Sequence, residues 1–311
     1  MPPSIGLAKS LTISVALATA AIAGAATASA DQQPALDAAG RTAPASAPLD
    51  PEPWRFGVTT YGWAINIAGN LTARGQTVDI NASFIDLVQK SDSLLAWMSY
   101  FEADKGRVGF YGDLVWTRLG FSRSTAAYRN PLPGLQLSAT ANAALVTDLV
   151  IAEVGGLYEV HRWPGSDGSF TAVDALLGFR YWNSTASVSV DALATANYAP
   201  LGLGASRQFG VSLSNTMQWV DPLVGLRLRH QFTPHQNIMV RGDIGGFGLG
   251  SQLTWQALGV YSYEWQVDRV RIAAVVGYRA IGVNYSTGSG FDANGLNLVF
   301  HGPVIGIGFR F

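Results

Sequence analysis

Strict alternation of apolar and polar side chains, repeated in segment after segment beyond residue 53, is the feature that most constrains this chain. The final segment, HGPVIGIGFRF, places Ile305, Ile307, Phe309 and Phe311 on every second position, with mostly small or charged residues between them. A period of two is that of a β-strand, whose successive side chains point to opposite faces. One face of this strand is therefore fully apolar, and the chain is predicted to be all-β.

Seven earlier segments repeat the pattern, each with one apolar face and one face that holds nearly every charge. They cover residues 107–121, 148–160, 170–182, 219–232, 237–247, 253–265 and 269–283. The outer face of a water-soluble β-sandwich would be rich in Lys, Glu, Ser and Thr. Here the polar face is thin, dominated by Arg and interspersed with Gly, which favours the inside of a narrow barrel. Aromatic residues near strand ends are predicted to form the girdles of a membrane barrel: Trp116, Tyr181, Trp182, Trp219 and Trp265.

The first thirty residues have the features of a secretory signal peptide. Lys9 precedes an uncharged stretch rich in Ala, Leu and Ile, and an Ala-Ser-Ala sequence at 28–30 fits a small-x-small cleavage site. We predict cleavage before Asp31, with an N-terminal membrane anchor as the alternative. Residues 31–53 are rich in Ala and Pro without periodicity, which predicts a disordered periplasmic lead. The third predicted region, 54–311, is the barrel.

Composition narrows the class of protein further. The chain contains no cysteine, which excludes disulfides and thiol chemistry, and its net charge of −1 gives no indication of nucleic-acid binding. Charged residues make up 13% of the chain, roughly half the share in a soluble globular domain. After residue 30 no run of about 18 apolar residues occurs, so no membrane helix is predicted. An exported, Gly-rich and aromatic-rich chain of this kind predicts a closed antiparallel transmembrane β-barrel.

Connection lengths predict the strand count. Short turns at 105–107, 164–169, 233–236 and 266–269 alternate with longer connections at 68–92, 123–143, 184–217 and 286–295, which is typical of membrane barrels. With both termini on the short-turn side, ten strands result, at about 54–67, 93–104, 107–121, 144–161, 169–183, 218–232, 237–248, 252–265, 269–285 and 296–311.

Twelve strands are the main alternative. They result if residues 70–81, or 186–191 and 205–214, pair as additional strands, although these stretches also fit extensions above the membrane. Residues 81–93 contain a predicted short helix on the long-loop side, with Asn81 or Ser83 as its N-cap.

The alternating final strand that closes on Phe309 and Phe311 resembles the C-terminal assembly signal of bacterial outer-membrane barrels. Together with WVDPLVGLRLRHQF and RGDIGGFGLGSQLTWQALGVYSY, it makes the chain similar to a family of uncharacterised proteobacterial outer-membrane proteins. The resemblance begins near Trp54 and is strongest from Trp219 onward. It implies a barrel in the outer membrane of a Gram-negative cell, of porin-like design, and implies recognition by the barrel-assembly machinery. It brings no activity and no functional residues.

If the polar faces point inward, acids and arginines balance one for one in the lumen. The predicted network comprises Glu102, Asp113, Glu153, Asp174, Arg180, Asp221, Arg227, Arg229, Arg241, Asp243, Glu264, Arg271, Arg279 and Arg310. Arginine suits this environment because its guanidinium bridges two carboxylates and stays charged. Two interpretations stay open: a structural network that fills the lumen, and a narrow pore whose arginines favour anions.

Catalysis finds little support in the sequence. Outer-membrane lipid-modifying enzymes need a serine–histidine–acid set or acid–histidine pairs near the outer rim. Of the four histidines, only His301 approaches that rim, on the apolar face of its strand, and no GxSxG or HExxH motif occurs. Acids are scattered singly, so no metal site and no cofactor are predicted.

The sequence therefore predicts a non-enzymatic outer-membrane barrel, structural or surface-interacting. A narrow anion-leaning channel is the runner-up, and a lipid-modifying enzyme is the third candidate. The expected partners are outer-membrane lipid and lipopolysaccharide, and no nucleic acid is expected. A monomer fits this interpretation.

Overall fold

The computed structural model describes residues 53–73, 75–166 and 168–311. The predicted signal peptide (1–30) and the predicted lead (31–53), apart from Pro53, lie outside the described residues. The strands are β1 (Arg55–Trp63), β2 (Asn66–Ala73), β3 (Gln76–Ala82), β4 (Ser93–Lys105), β5 (Val108–Leu132), β6 (Leu135–Pro164), β7 (Phe170–Tyr198), β8 (Leu203–Thr233), β9 (Gln236–Gly245), β10 (Leu253–Val267), β11 (Val270–Thr287) and β12 (Asn294–Arg310).

Ten of these strands form a closed antiparallel barrel, which we call the ring: β1 and β4–β12. Each strand pairs with its neighbours, and β12 pairs back onto β1. The predicted closed barrel of about ten strands is therefore confirmed. The two remaining strands, β2 and β3, form a hairpin that pairs with the upper half of β12. This hairpin accounts for residues 70–81, whereas 186–191 and 205–214 are extensions of β7 and β8.

β1 and β2 behave as one strand with a short interruption. Both pair with β12 in the same register, since Trp63 lies opposite Val304 and Asn66 lies opposite His301. Across the interruption, the backbone N–H of Ala64 still donates to the carbonyl of Pro303 at 3.0 Å. The first ring strand therefore continues upward as β2, and β3 pairs with β2 in the same sheet.

The short helix α1 (Phe84–Lys90) lies between β3 and β4, as predicted. Ser83 is its N-cap: its hydroxyl oxygen accepts from the backbone N–H of Asp86 at 3.1 Å, and the Asp86 carboxylate accepts from the Ser83 backbone. This reciprocal pair satisfies N–H groups that the first helical turn leaves unpaired. No helix within the described residues is long and apolar enough to span a bilayer.

Four strands rise far beyond the rest. At their upper ends, β4 begins at Ser93, opposite Gly120, and β9 stops at Gly245, opposite Leu223. Above the row Arg118–Asp148–Thr185–Thr216, the strands β5–β8 continue to pair with one another without a change of register until the hairpin tips. We call this four-stranded extension, residues 118–132, 135–148, 185–198 and 203–216, the outer sheet.

The outward face of the ring carries an apolar belt. Its exposed members include Val108, Phe110, Leu114, Val154, Leu177, Phe179, Val220, Val224, Leu226, Ile244, Ile305 and Ile307. The alternation predicted this face, and β12 shows it clearly. Ile305 and Ile307 are exposed on the outside, whereas Val304, the residue before Ile305, is buried in the lumen. A continuous outer surface of large apolar side chains is stable against lipid and unfavourable against water.

Two of the residues assigned to the aromatic girdle lie elsewhere. Trp182 and Trp219 are buried inside the lumen, stacked on each other with ring centroids 5.7 Å apart. They belong to an apolar layer in the upper lumen, together with Trp63, Met98, Val115, Ile151, Ile281, Val283, Phe300 and Val304. That prediction was wrong because Trp182 has the same strand parity as Arg180, so both side chains point inward.

Candidate functional site

Below the apolar layer, three arginines from three strands converge on one carboxylate. Glu153 on β6 accepts from Arg180 Nε at 2.8 Å, from Arg241 Nη2 at 2.6 Å and from Arg279 Nη2 at 3.3 Å. The side chains of Glu153 and Arg180 have no solvent exposure. β6 and β7 are neighbours, but β11 lies five strands from β6 in the ring of ten, so this contact joins opposite walls.

Two further carboxylates complete the charge balance of this central cluster. Asp243 pairs with Arg180 Nη2 at 2.7 Å and with Arg241 Nη2 at 2.8 Å, and Asp113 pairs with Arg279 Nη2 at 2.6 Å. Three arginines thus face three carboxylates. Burial of ions is tolerated only when each charge is paired and hydrogen-bonded, and this balance meets that condition.

Neutral side chains satisfy the remaining donors and acceptors. The Tyr61 hydroxyl donates to Asp113 at 2.6 Å and accepts from Arg279 Nη1 at 2.7 Å. Thr254 accepts from Arg180 at 2.9 Å, and Gln256 accepts from Arg279 at 2.7 Å and donates to Asp243 at 3.0 Å. These neutral partners were not predicted from the sequence, although all lie on the inward parity of their strands.

Tyr111 supports the cluster from β5. Its ring lies 4.7 Å from the Arg241 guanidinium, a cation–π contact, and its hydroxyl accepts from Arg241 Nη2 at 3.3 Å. Gly155 and Gly178, which face each other across β6 and β7, make room for this ring. A Cβ at Gly155 would lie 2.6 Å from the Tyr111 ring, and a Cβ at Gly178 would lie 2.9 Å from its hydroxyl.

A second cluster lies nearer the short turns. Arg227 binds Glu102 with two hydrogen bonds, of 2.7 and 3.1 Å, and donates to Asp174 at 2.7 Å. Arg229 also binds Asp174, at 2.7 Å, and reaches Glu159 at 2.9 Å. The two clusters together bring ten of the predicted residues into contact: Glu102, Asp113, Glu153, Asp174, Arg180, Arg227, Arg229, Arg241, Asp243 and Arg279.

The other four predicted network residues have different surroundings. Asp221 accepts from the Ser251 backbone N–H at 2.6 Å and from the Trp219 indole at 3.1 Å, so it anchors the β9–β10 loop beneath the apolar layer. Glu264 accepts from Asn237 at 2.8 Å, and Arg310 approaches it to 3.7 Å at the short-turn rim. Arg271 is exposed. Phe309 and Phe311 are exposed on the outward side of the same rim.

His301, the candidate of the enzyme interpretation, lies on the outward face of β12. Its Nδ1 is 2.7 Å from the hydroxyl of Tyr278, which shares that face. Within the described part of the chain, no group of three or more His, Asp or Glu is arranged to hold a metal ion.

The outer sheet reverses the polarity of the ring. On its outward face, hydroxyl side chains pair across strands: Ser187 with Ser214 at 2.9 Å, Thr185 with Thr216 at 2.9 Å, and Ser138 with Thr195. On its inward face, apolar residues follow one another along each strand, such as Val188 and Val190 on β7. Phe209 and Leu213 on β8 are 61% and 62% exposed there.

No family model matches the chain, and no curated protein matches it. Similar solved structures include a Pseudomonas aeruginosa FadL homologue, with 7% identity, 85% of this chain and 90% of that chain covered, and a TM-score of 0.27. Ail, the attachment invasion locus protein of Yersinia pestis, shares 12% identity over 84% of this chain and 99% of its own, with a TM-score of 0.25. The outer membrane protein opdK from P. aeruginosa shares 12% identity over 83% and 98%, with a TM-score of 0.21.

Similarities this low transfer neither function nor site residues to the chain. Membership in the proteobacterial family that the sequence resembles stays a prediction.

Proposed function

We propose that the protein is a non-enzymatic integral barrel of the bacterial outer membrane, whose lumen does not conduct and which acts at the cell surface through its outer sheet. The observation that carries the proposal is the central cluster, where Glu153, Arg180 and Asp243 are without solvent exposure and connect opposite walls of the ring. Buried ion pairs between opposite walls hold the barrel in one shape and fill this part of the lumen.

The apolar layer supports the same conclusion from above. Trp182 packs against Trp219, and Trp219 packs against Tyr285 with centroids 4.0 Å apart. Val115 and Ile281 have no exposed surface. An ion entering from the outer side would first meet this apolar layer, and hydrophobic constrictions oppose the passage of ions. Below the layer it would meet the charge-balanced central cluster.

The apolar belt supports a membrane location. Leu177 and Phe179 are exposed on the outward face of β7, and Asn183 and Thr185 take over that face immediately above Tyr181. Tyr181 accepts from Asn183 at 3.1 Å and donates to Gln218 at 3.2 Å. An aromatic ring with its hydroxyl in a polar rim fits the interface between hydrocarbon and water.

Single-channel recording in planar bilayers tests the closed lumen. We expect no discrete openings from protein whose insertion has been verified by flotation with vesicles. The double variant Arg180→Ala with Arg241→Ala removes two of the three central guanidiniums, and openings in this variant alone would assign the closure to the central cluster. Discrete openings of the wild type whose size changes in Arg241→Ala, but not in Arg118→Ala on the outward face, would establish the channel instead.

Surface labelling tests the orientation, and the absence of cysteine makes it simple. Tyr128→Cys places a thiol on the outer sheet, and Arg269→Cys places one in the β10–β11 turn; both positions are exposed. A membrane-impermeant maleimide should label only Tyr128→Cys on intact cells, and both after permeabilisation. Labelling of Arg269→Cys on intact cells would contradict the proposed orientation.

A further inference from the structure

The inward face of the outer sheet is apolar, as described above, but it also carries arginines without carboxylates. Arg129 lies on β5 and Arg207 on β8, the two edge strands, and both are exposed. Within the described residues no ion pair reaches either of them. The acids of the outer sheet, Asp148 and Asp191, have the opposite strand parity and lie on the outward face. The inward face is therefore positively charged and uncompensated.

Strand register places these arginines at the two ends of a small-residue floor. One cross-strand row reads Ala127, Ala139, Ala194, Arg207, and the next reads Arg129, Leu137, Ala196, Ala205. Neighbouring strands are about 4.8 Å apart, so the guanidinium-bearing edges are separated by roughly 14 Å. Alanine side chains leave a trough between them.

The trough is a measurable cavity. It has a volume of about 530 Å³ and is lined by both arginines together with Ala127, Leu137, Ala139, Ala194, Ala196 and Ala205. Ser138, Thr195 and Ser206 also border it, but their side chains have the outward parity. A second cavity of about 300 Å³ adjoins it, shares the row that ends at Arg207, and extends to the next row, which includes Thr125 and Phe209. Ligand sites typically combine such a volume, an aliphatic lining and a few polar groups that fix orientation.

We propose that this trough binds a small anionic amphiphile, with its alkyl chain on the alanine floor and its anionic head between Arg129 and Arg207. Two features of the trough favour this chemistry: its alanine floor accepts an alkyl chain, and its two exposed guanidiniums attract an anion. The proposal rests on the proposed outer-membrane orientation only in making the trough accessible from outside the cell.

Height above the belt identifies the source of the ligand. Arg129 lies thirteen positions beyond Trp116 on β5, which corresponds to roughly 40 Å along the strand and to roughly 30 Å of height at a strand tilt of about 40°. A lipid anchored in the outer leaflet cannot place its chain at that height. The occupant is therefore a freely diffusing amphiphile captured from the surroundings.

Isothermal titration calorimetry on the full chain in lipid nanodiscs tests the proposal, with decanoate as the probe and empty nanodiscs as the blank. We expect saturable binding of decanoate and none of decyltrimethylammonium, which has the same chain and the opposite charge. The double variant Arg129→Gln with Arg207→Gln should weaken binding roughly tenfold or more, as expected for the loss of charge-assisted hydrogen bonds.

Two single variants locate the site. Ala194→Phe fills the floor and leaves both arginines, and it should also weaken binding at least roughly tenfold. Arg118→Gln, on the outward face beside Asp148, should leave binding unchanged. Each variant is compared with the wild type for strand content by circular dichroism.

Three outcomes would overturn the inference: no saturable binding, equal binding of the cationic probe, or full affinity in Ala194→Phe. None of them bears on the closed lumen, because conductance is recorded without amphiphile. Conversely, a conducting barrel would leave the binding result intact.

Discussion

The ring and the outer sheet share four strands but turn opposite faces towards their surroundings. On β7, the outward residues Leu177 and Phe179 are apolar in the ring, whereas the outward residues Ser187 and Ser189 are polar in the outer sheet. The inward residues change in the opposite sense, from Arg180 to a run of valines and alanines. The backbone and register are continuous through the change. The strand geometry is the same in both regions, so the surroundings of each face determine whether its side chains are apolar or polar.

The two regions also differ in what holds them. The ring encloses ion pairs that connect seven strands, so local opening of one strand breaks contacts throughout the lumen. The outer sheet has hydrogen-bonded ladders and surface hydroxyl pairs, and most of its side chains are exposed. Regions with few buried contacts open at lower free energy than the core. We expect the outer sheet to exchange its amide hydrogens faster than the ring.

The largest effect is expected at the centre of the ring. Glu153→Gln leaves three buried guanidiniums with two carboxylates, and loss of one partner from a buried network costs roughly 3–5 kcal/mol. Urea unfolding of the vesicle-inserted protein measures this loss. Asp148→Asn is the matched control: it removes the partner of Arg118 in a pair that is half exposed, and should cost about 0–1 kcal/mol. Equal costs would show that the central cluster is solvated.

A second test introduces arginine at two outward-facing positions of β7, one in the ring and one in the outer sheet. Leu177→Arg puts arginine in the apolar belt and should cost about 2–4 kcal/mol in the same urea assay. Leu193→Arg puts it on the outward face of the outer sheet, where a surface substitution should cost at most about 0.5 kcal/mol. If the two variants unfold alike, the belt does not contact hydrocarbon and the proposed boundary near Tyr181 is wrong.

The smallest effect is expected at α1, which lies in neither region. Hydrogen bonds from Lys90 and Ser83 lower the pKa of Asp86 from its ordinary value of 3.8 to about 2. Because the pKa is depressed, the stabilising contribution is fully present above pH 3.8 and is lost as the pH falls through about 2. An NMR titration of the Asp86 carboxyl carbon should show this midpoint.

Lys90→Ala provides the control for that titration. It removes the largest cause of the shift and should move the midpoint of Asp86 towards 3.8, while the Ser83 contacts remain. An unchanged midpoint would mean that the Lys90 ion pair is absent in solution.

The sequence predicted the ring well because alternation is a local signal. Ile305 and Ile307, two positions apart, already define the outward face of β12, and the turns follow from short polar connections. The same signal explains why 123–143 and 184–217 looked like loops. Beyond Arg118 the outward residues become polar and the inward residues apolar, so a single face can no longer be followed through the strand.

The contents of the lumen were predictable as a set but not as pairs. Parity identifies Arg180, Glu153 and Asp243 as inward residues, and it would also have placed Trp182 there. The partner of each residue depends on the relative height of strands that are not neighbours, which the closed ring sets and no local pattern records. Tyr61 and Gln256 were not predicted because the sequence pattern does not distinguish one neutral inward-facing side chain from another.

The seam between β1 and β12 has a kinetic consequence. It pairs Gly57 with Arg310, positions separated by roughly 250 residues, whereas β4–β12 follow one another through hairpins. Loop-closure entropy makes such a pairing slow to find. Until it forms, both strands are open edges and Arg279 lacks the hydroxyl of Tyr61. Refolding into vesicles should therefore be limited by one late step, the meeting of the two edges, and stopped-flow traces should show hairpin contacts appearing before it.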